Sequence, residues 1–449
     1  MGKLFGTDGI RGRANEYPIT PEMALRMGKA IAKVFGSLKG EKHRVIIGKD
    51  TRLSGYMLET ALTSGLISMG MEVYLVGPMP TPAVAHLTKS MQACAGIMIT
   101  ASHNPSCDNG IKIFGEAGFK LPDPIENKIE KVILSKDEIN PDDSVSMGKA
   151  YRLEDVGGRY IEFVKRSIDN MSLKGLRVVL DCAHGAAYYL SPIIMKELGC
   201  DVIKENVAPD GLNINDGCGA MHADRLAVPV KKYRSDCGIA LDGDADRVIF
   251  SDHEGTVVDG DRIIAICALD MKKEGTLTNN AIAVTSMSNL GLHKLMAEND
   301  IKVVVTDVGD RHVLEAMQKH DIKLGGEQSG HIIFSDYSTT GDGTLGALRV
   351  LKIMKQTGKT LKELASVMNV FPQKLVGIKV KKKPALNTLP GITGMIADCE
   401  KELGDSGRCI LRYSGTENKL RILVEAETSS AVNKWIKKFV DQAEQELGA

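Results

Sequence analysis

Short apolar runs alternate with stretches of helical periodicity along most of this chain. The run Arg44-Val-Ile-Ile-Gly-Lys-Asp50 predicts a buried strand that ends in a loop. A helical stretch follows to about residue 69, then a strand at 72–76, then an apolar run at 95–100 that leads into Ser102. The order recurs with a strand at 176–181, a helical stretch at 188–198, a strand at 201–203, and a run at 237–242 that opens into Gly243-Asp-Ala-Asp246. It recurs again with a strand at 281–285, a helical stretch to about 298, a strand at 301–306, and residues 322–324 leading into Gly325-Gly-Glu-Gln-Ser-Gly330.

Buried strands separated by amphipathic helices indicate βαβ units. Ligands at such sheets bind beyond the carboxyl ends of the strands. In every copy the last strand ends in a loop of small and polar residues. The pattern predicts a triplicated α/β unit that brings its loops together.

The tail differs. Residues 373–380 alternate like a half-exposed strand, 408–412 and 420–425 flank a glycine-containing loop, and 430–447 has helical periodicity. This predicts a small α+β domain. The expected fold is therefore three similar α/β domains with mixed sheets plus a smaller C-terminal α+β domain, arranged around a central cleft. Their expected extents are 1–153, 154–254, 255–370 and 371–449, with linkers near 150–157, 253–258 and 369–374.

Composition narrows the function classes. Of 449 residues, 43% are hydrophobic and 25% charged, with 57 basic against 57 acidic side chains. A net charge of zero gives no overall field for nucleic acid or an anionic membrane, so any anion site must be local. The nine cysteines are odd in number and contain no Cys-x-x-Cys, which points to a reducing compartment and away from a disulfide framework or zinc site. The opening segment has no apolar region of signal-peptide type. No apolar stretch reaches the ~18 residues of a membrane span. A cytoplasmic protein is expected.

The loops carry the candidate chemistry. In Asp242-Gly-Asp-Ala-Asp-Arg247, carboxylates at i, i+2 and i+4 converge if the backbone curls, and offer hard oxygen ligands to a divalent cation. An EF-hand would need Gly and Glu where Arg247 and His253 stand. In Arg412-Tyr-Ser-Gly-Thr-Glu-Asn-Lys-Leu-Arg421, the backbone around Ser414, Gly415 and Thr416 can form an anion nest with an arginine at either end. Gly325-Gly-Glu-Gln-Ser-Gly-His331 offers a carboxylate and a hydroxyl to a sugar. Taken singly, these loops also admit blander readings, as an acidic turn, a hairpin turn and, most readily, a solvated glutamate.

Ser102 is not in Gly-x-Ser-x-Gly, so the α/β-hydrolase elbow is not supported. His103 is its neighbour, and adjacent side chains on an extended segment point apart, which argues against a Ser–His pair. An alternative partner for Ser102 is a phosphate bridged to a metal on Asp242, Asp244 and Asp246. Phosphoryl transfer needs mostly positioning and charge neutralisation.

At these residues the chain resembles the α-D-phosphohexomutase superfamily over essentially its whole length. Thr100-Ala-Ser-His-Asn-Pro105 is similar to the phosphoserine loop, Asp242-Gly-Asp-Ala-Asp-Arg247 to the metal loop, Gly326-Glu-Gln-Ser-Gly-His331 to the sugar loop, and the segment opening at Arg412 to the phosphate loop. Tyr413 and Asn418 stand where the family usually has proline, and Ala245 where it often has glycine, which reads as a small change. Phe5-Gly-Thr-Asp-Gly-Ile-Arg-Gly12 and the Glu-Gln-Ser form of the sugar loop point to the amino-sugar branch, with mannose or glucose phosphate as the alternative.

The resemblance implies roles by position. Ser102 would carry a phosphate and, with Asp242, Asp244 and Asp246, hold one Mg²⁺ per subunit. Lys112, in Asn109-Gly-Ile-Lys112, would donate a proton and stabilise charge, with a lowered pKa if cations and a metal surround it. Arg11, His103 and Arg247 would stand at the transferring phosphate. Glu327, Ser329 and His331 would meet the sugar, and Arg412, Ser414, Gly415, Thr416 and Arg421 its other phosphate. Glucosamine 1,6-bisphosphate or an equivalent would be intermediate and activator. The implied partner is a small phosphosugar, with no nucleic acid or membrane, and a homodimer is compatible with the chain. His43, His86, His293 and His320 are expected in surface or core roles, and Lys381–Lys383 on a solvated edge.

Overall fold

A computed structural model describes residues 4–6, 8–36, 43–141, 146–414 and 418–448. By backbone contacts the chain forms two compact units, Met1–Met287 with Ile301–Ser366, and Ser288–Asp300 with Val367–Ala449.

The first unit holds three sheets built on one plan. In the first, Arg44–Lys49 lies parallel to Glu72–Pro78 on one side and to Ala95–Ile99 on the other, and Asp108–Gly115 returns antiparallel to Ala95–Ile99. In the second, Arg177–Asp181 lies parallel to Asp201–Glu205 and Cys237–Leu241, and Val248–Asp252 returns against Cys237–Leu241. In the third, Ala281–Thr285 lies parallel to Lys302–Thr306 and Leu324–Gly326, and Ile332–Phe334 returns against Leu324–Gly326. The serine, acidic and sugar loops are thus equivalent: each joins the last parallel strand to its antiparallel return.

The central strands Ala95–Ile99, Cys237–Leu241 and Ala281–Thr285 are buried at every position. Helices cover both faces, so their sequences read as continuous apolar runs rather than alternation. Each fully buried aliphatic side chain contributes roughly 1.5–3 kcal/mol. The helices Pro21–Gly36 and Leu53–Ser68 cross where Gly28 and Gly65 meet; a Cβ on either would collide with the other helix's backbone.

Two stretches read as linkers also contribute edge strands. Ala150–Arg152 pairs with Glu72–Pro78, and Val257–Val258 with Val248–Asp252. Too short to carry a periodic signal, they give the edge backbone groups partners.

The second unit is a three-stranded antiparallel sheet, with Lys419–Ala426 between Gln373–Lys379 and Gly407–Tyr413. The Ser429–Leu447 helix buries Trp435, Ile436 and Phe439 in the core of this unit. The Leu290–Glu298 helix belongs here too, because its N-cap Asn289 exchanges hydrogen bonds with the Phe371 backbone at 3.0 Å in both directions. No helix among the described residues is long and apolar enough to cross a membrane.

Candidate active site

The serine loop is held from behind. Thr100 Oγ1 donates to Asp50 Oδ2 at 2.6 Å and accepts from the Ser102 N–H at 2.8 Å. Arg52 pairs with Asp50 at 3.1 Å and donates to the carbonyls of Ser102, Asn104 and Pro105 at 2.8–3.3 Å. Asn215 Nδ2 donates to the Ser102 and Asn104 carbonyls at 2.9 and 3.0 Å. These contacts fix Ser102 at φ 52°, a left-handed conformation unusual for serine.

That conformation corrects an expectation. The segment is not extended at Ser102, and His103 Nδ1 lies 3.2 Å from Ser102 Oγ. Burial, with the charges of Arg247 and Arg11, pulls His103 down to about 4. The imidazole is neutral at pH 7.

Ser102 Oγ donates to Asp242 Oδ2 at 2.7 Å. Asp242, Asp244 and Asp246 are all buried, and each places one carboxylate oxygen within 4.8 Å of the others. Burial and the charges of Asp246 and Asp244 raise the Asp242 carboxyl well above its usual range. Gly243 allows the two loops to approach, since a Cβ there would press on the Ser102 carbonyl oxygen at 2.6 Å. Ala245 sits at φ 59°, where glycine would be unstrained. Alanine there costs roughly 1–2 kcal/mol, so it is not the small change the sequence suggested.

Around Lys112 stand carboxylates rather than the cations and metal on which a lowered pKa depended. Its Nζ lies 2.9 Å from Asp244, 3.1 Å from Asp246 and 3.2 Å from Asp8. Burial favours the neutral amine, but these three carboxylates outweigh it and hold the pKa well above the lysine value. Lys112 is a fixed cation in this setting. Arg11 pairs with Asp8, and the Arg247 N–H donates to Asp242 Oδ1 at 3.1 Å.

The sugar loop meets the acidic loop through His331. Its Nδ1 is 3.6 Å from Asp246 and its Nε2 3.5 Å from Asp310, while the Gly341 N–H donates to Nε2 at 3.1 Å. Glu327 accepts from the Gly309 N–H at 3.1 Å and from the Ser329 hydroxyl at 3.3 Å.

In the second unit, Arg412 and Arg421 lie directly opposite each other on paired strands. Like charges so placed repel, and an anion between them would relieve the repulsion. Ser414 is buried, its N–H donates to the Lys419 carbonyl at 2.8 Å, and its own carbonyl accepts from Lys383 Nζ at 2.8 Å. Lys383 therefore supports this hairpin rather than serving only as solvated edge. Gly415 and Thr416 lie outside the described residues.

Comparison with known proteins places this geometry. Family models of phosphoglucomutase/phosphomannomutase match along the chain: alpha/beta/alpha domain I at residues 2–140, domain II at 158–255, domain III at 259–371 and the C-terminal domain at 375–442. The chain belongs to the phosphoglucomutase/phosphomannomutase family. A phosphoglucosamine mutase of Geotalea daltonii is 51% identical, covering 100% of this chain and 99% of the relative. One of Syntrophus aciditrophicus is 51% identical with 100% of both chains covered. Among solved structures, a phosphoglucomutase/phosphomannomutase family protein from Burkholderia thailandensis superimposes with a TM-score of 0.79 at 21% identity, covering 98% of this chain and 97% of that one. Aspergillus fumigatus N-acetylphosphoglucosamine mutase, in complex with GlcNAc-6P and magnesium, gives 0.68 at 18% identity, covering 98% and 95%.

For this phosphohexomutase fold the acidic trio meets the demands of a divalent cation. Its ligands are hard oxygens, and Asp244 Oδ1 is buried with no hydrogen-bond donor among the described residues.

Several residues at the site escaped the sequence reading. Asp8 takes ion pairs from Arg11, Lys112 and Lys120. Lys120 also pairs with Asp310, which faces His331. Thr81 donates its hydroxyl to Asp244 Oδ2 at 2.6 Å. Asp8 stood within a quoted motif; Thr81, Lys120 and Asp310 had no local signal.

Proposed function

We propose that this enzyme interconverts glucosamine 6-phosphate and glucosamine 1-phosphate by relaying phosphate through Ser102. The observation that carries this reading is the 2.7 Å contact of Ser102 Oγ with Asp242, inside a buried carboxylate trio that Lys112 and two arginines border.

The relay balances as two transfers. A hydroxyl of the bound sugar phosphate attacks phosphoserine 102: its O–P bond forms, the Ser102 Oγ–P bond breaks, and the hydroxyl proton leaves to a base. The resulting sugar 1,6-bisphosphate reorients and returns its other phosphate to Ser102. A Mg²⁺ held by Asp242, Asp244, Asp246 and the Ser102 phosphate would neutralise charge on the transferring group. Arg11 and Arg247 contribute fixed positive charge, and Lys112, already protonated, stabilises the phosphate before it donates any proton. Neutral His103, beside Ser102 Oγ, is placed to take or return a proton there. Glu327 and Ser329 orient the sugar's hydroxyl and amino groups, with His331 behind them. Arg412, Ser414 and Arg421, with Gly415 and Thr416, grip the phosphate that does not react. We read the four domains 1–153, 154–254, 255–370 and 371–449 as contributing one loop each.

The amino-sugar assignment rests on relatives about 51% identical along the whole chain, all phosphoglucosamine mutases. Ser102→Ala tests the relay. Turnover should vanish while glucosamine 6-phosphate still binds. Near-normal rates in that variant would refute it. The substrate is tested by kcat/KM for glucosamine 6-phosphate against mannose 6-phosphate, where equal or reversed preference would remove the assignment.

A further inference from the structure

A cavity lies at the other end of the metal-loop strand. Ser235 and Asp236 precede Cys237–Leu241, and Asp242 follows it, so about 17 Å of strand separates the cavity from the acidic trio. The Gly343–Thr357 helix runs between the same places. Its first N–H donates to the Ala245 carbonyl at 2.9 Å, and Met354 near its other end lines the cavity, about 17 Å away.

The cavity encloses about 640 Å³, within the size range of small-molecule sites. Leu176 and Met354 give it an apolar wall, and Lys231, Arg234 and Lys359 place cations around it. None of these three cations has an ion-pair partner among the described residues. The nearby acids are largely engaged: Asp236 Oδ2 accepts from the Arg177 N–H at 2.7 Å, and Glu254 pairs with Lys362 at 2.6 Å. Ser235 also lines the cavity. It is 2% exposed, and its Oγ has no hydrogen-bond partner among the described residues. A buried hydroxyl without a partner is costly unless a ligand satisfies it. In a chain of zero net charge, cations that outnumber the one lining acid, Asp236, around an apolar wall and an orphan hydroxyl make a local anion site.

We propose that this cavity binds a nucleoside diphosphate. The three cations match the charge of a diphosphate, the apolar wall accepts the base, and the Ser235 hydroxyl bonds a polar group of the ligand. Occupancy would tie the strand and the helix that both reach the acidic loop.

The test is isothermal titration calorimetry of ADP and UDP into the full chain, with glucosamine 6-phosphate saturating the catalytic site. One site per chain is expected, unaffected by Ser102→Ala and weakened more than fivefold by the pair Arg234→Ala and Lys359→Ala, both exposed positions. Pyrophosphate should bind at least fivefold more weakly than the better nucleotide. The proposal falls if no binding is seen, if sugar phosphate displaces the nucleotide, or if the double variant binds within fivefold of the parent. It falls as a nucleotide site if pyrophosphate binds equally well. The effect of the Arg234 and Lys359 pair, which lie outside the catalytic loops, is read with and without glucosamine 6-phosphate, so failure of this site and failure of the mutase assignment are told apart.

Discussion

Arg52 donates through Nη2 to the Ser102 carbonyl at 3.0 Å, from a position with no solvent exposure. The same guanidinium reaches two further carbonyls of the loop and pairs with Asp50, which anchors Thr100 and, through it, the Ser102 N–H. Arg52 holds the Ser102 backbone in its left-handed turn without touching the Ser102 hydroxyl. Lysine keeps the charge and loses the planar fork. Arg52→Lys should therefore lower kcat about 100-fold, the scale of a small misplacement of a reacting group, with KM changed only a few-fold. Steady-state kinetics alongside circular dichroism of the folded variant would check this, and an unchanged kcat would remove Arg52 from the positioning of Ser102.

The acidic trio sets up a second prediction. Three buried carboxylates repel one another, and the raised Asp242 pKa reflects burial and that repulsion. A divalent cation that binds only the folded chain stabilises it by ~2.7 kcal/mol at a concentration 100 times its Kd. Mg²⁺ should raise the Tm, and more at pH 8 than at pH 5.5, because protons compete with the ion for Asp242. Asp244→Asn should remove most of the shift. Scanning fluorimetry with Mg²⁺ or a chelator reads both effects; identical Tm values at pH 8 would mean the trio does not hold the ion.

Asp342 offers a second pH dependence, set mainly by its own burial, with the charge of Asp246 adding to it. It caps the Gly343–Thr357 helix by accepting from the Leu345 N–H at 2.9 Å, and both its oxygens accept from Tyr160 at 3.0 Å. Burial pushes its carboxyl up to about 6 despite these bonds. A raised carboxyl pKa means the folded state keeps a proton that the unfolded state has released. Stability is thus lost as pH rises from about 4 to 6 and is level above that. Asparagine keeps the cap without the charge. Asp342→Asn should match the parent in stability near pH 4 and exceed it above pH 6.5, by at most about 3 kcal/mol. Denaturant titrations at the two pH values would show it, and a pH-independent difference would contradict the assignment.

The strands and the candidate loops that follow them were legible because both are local. Buried parallel strands are unbroken apolar runs, and each loop presents its chemistry within a few consecutive residues. The antiparallel returns were harder: Ile332–Phe334 is only three residues long and follows directly on the loop it closes. Ser102's turn was illegible because its causes are distant, in Asp50, Arg52 and Asn215. The same holds for Lys112. Its neighbours along the chain gave no sign that Asp8, Asp244 and Asp246 would surround it and raise its pKa. Residues 288–300 follow a strand of the third sheet in sequence, yet join the C-terminal unit through Asn289 and Phe371, which are 82 residues apart.

The register of Arg412 opposite Arg421 separates binding from stability. Like charges directly opposite each other disfavour the pairing, so removing Arg421 should not destabilise the hairpin and gains up to about 1 kcal/mol. If the pair grips the non-reacting phosphate, its contacts are the same before and during transfer, and losing one raises KM more than it lowers kcat. Remote binding energy also helps hold the reacting end in place, so some fall in kcat is expected too. Arg421→Ala should thus raise KM for glucosamine 6-phosphate by 10-fold or more, lower kcat by less, and leave Tm equal or higher. A purely structural arginine would give the opposite pattern, a lower Tm with KM unchanged, so kinetics and thermal unfolding on one preparation distinguish the two roles.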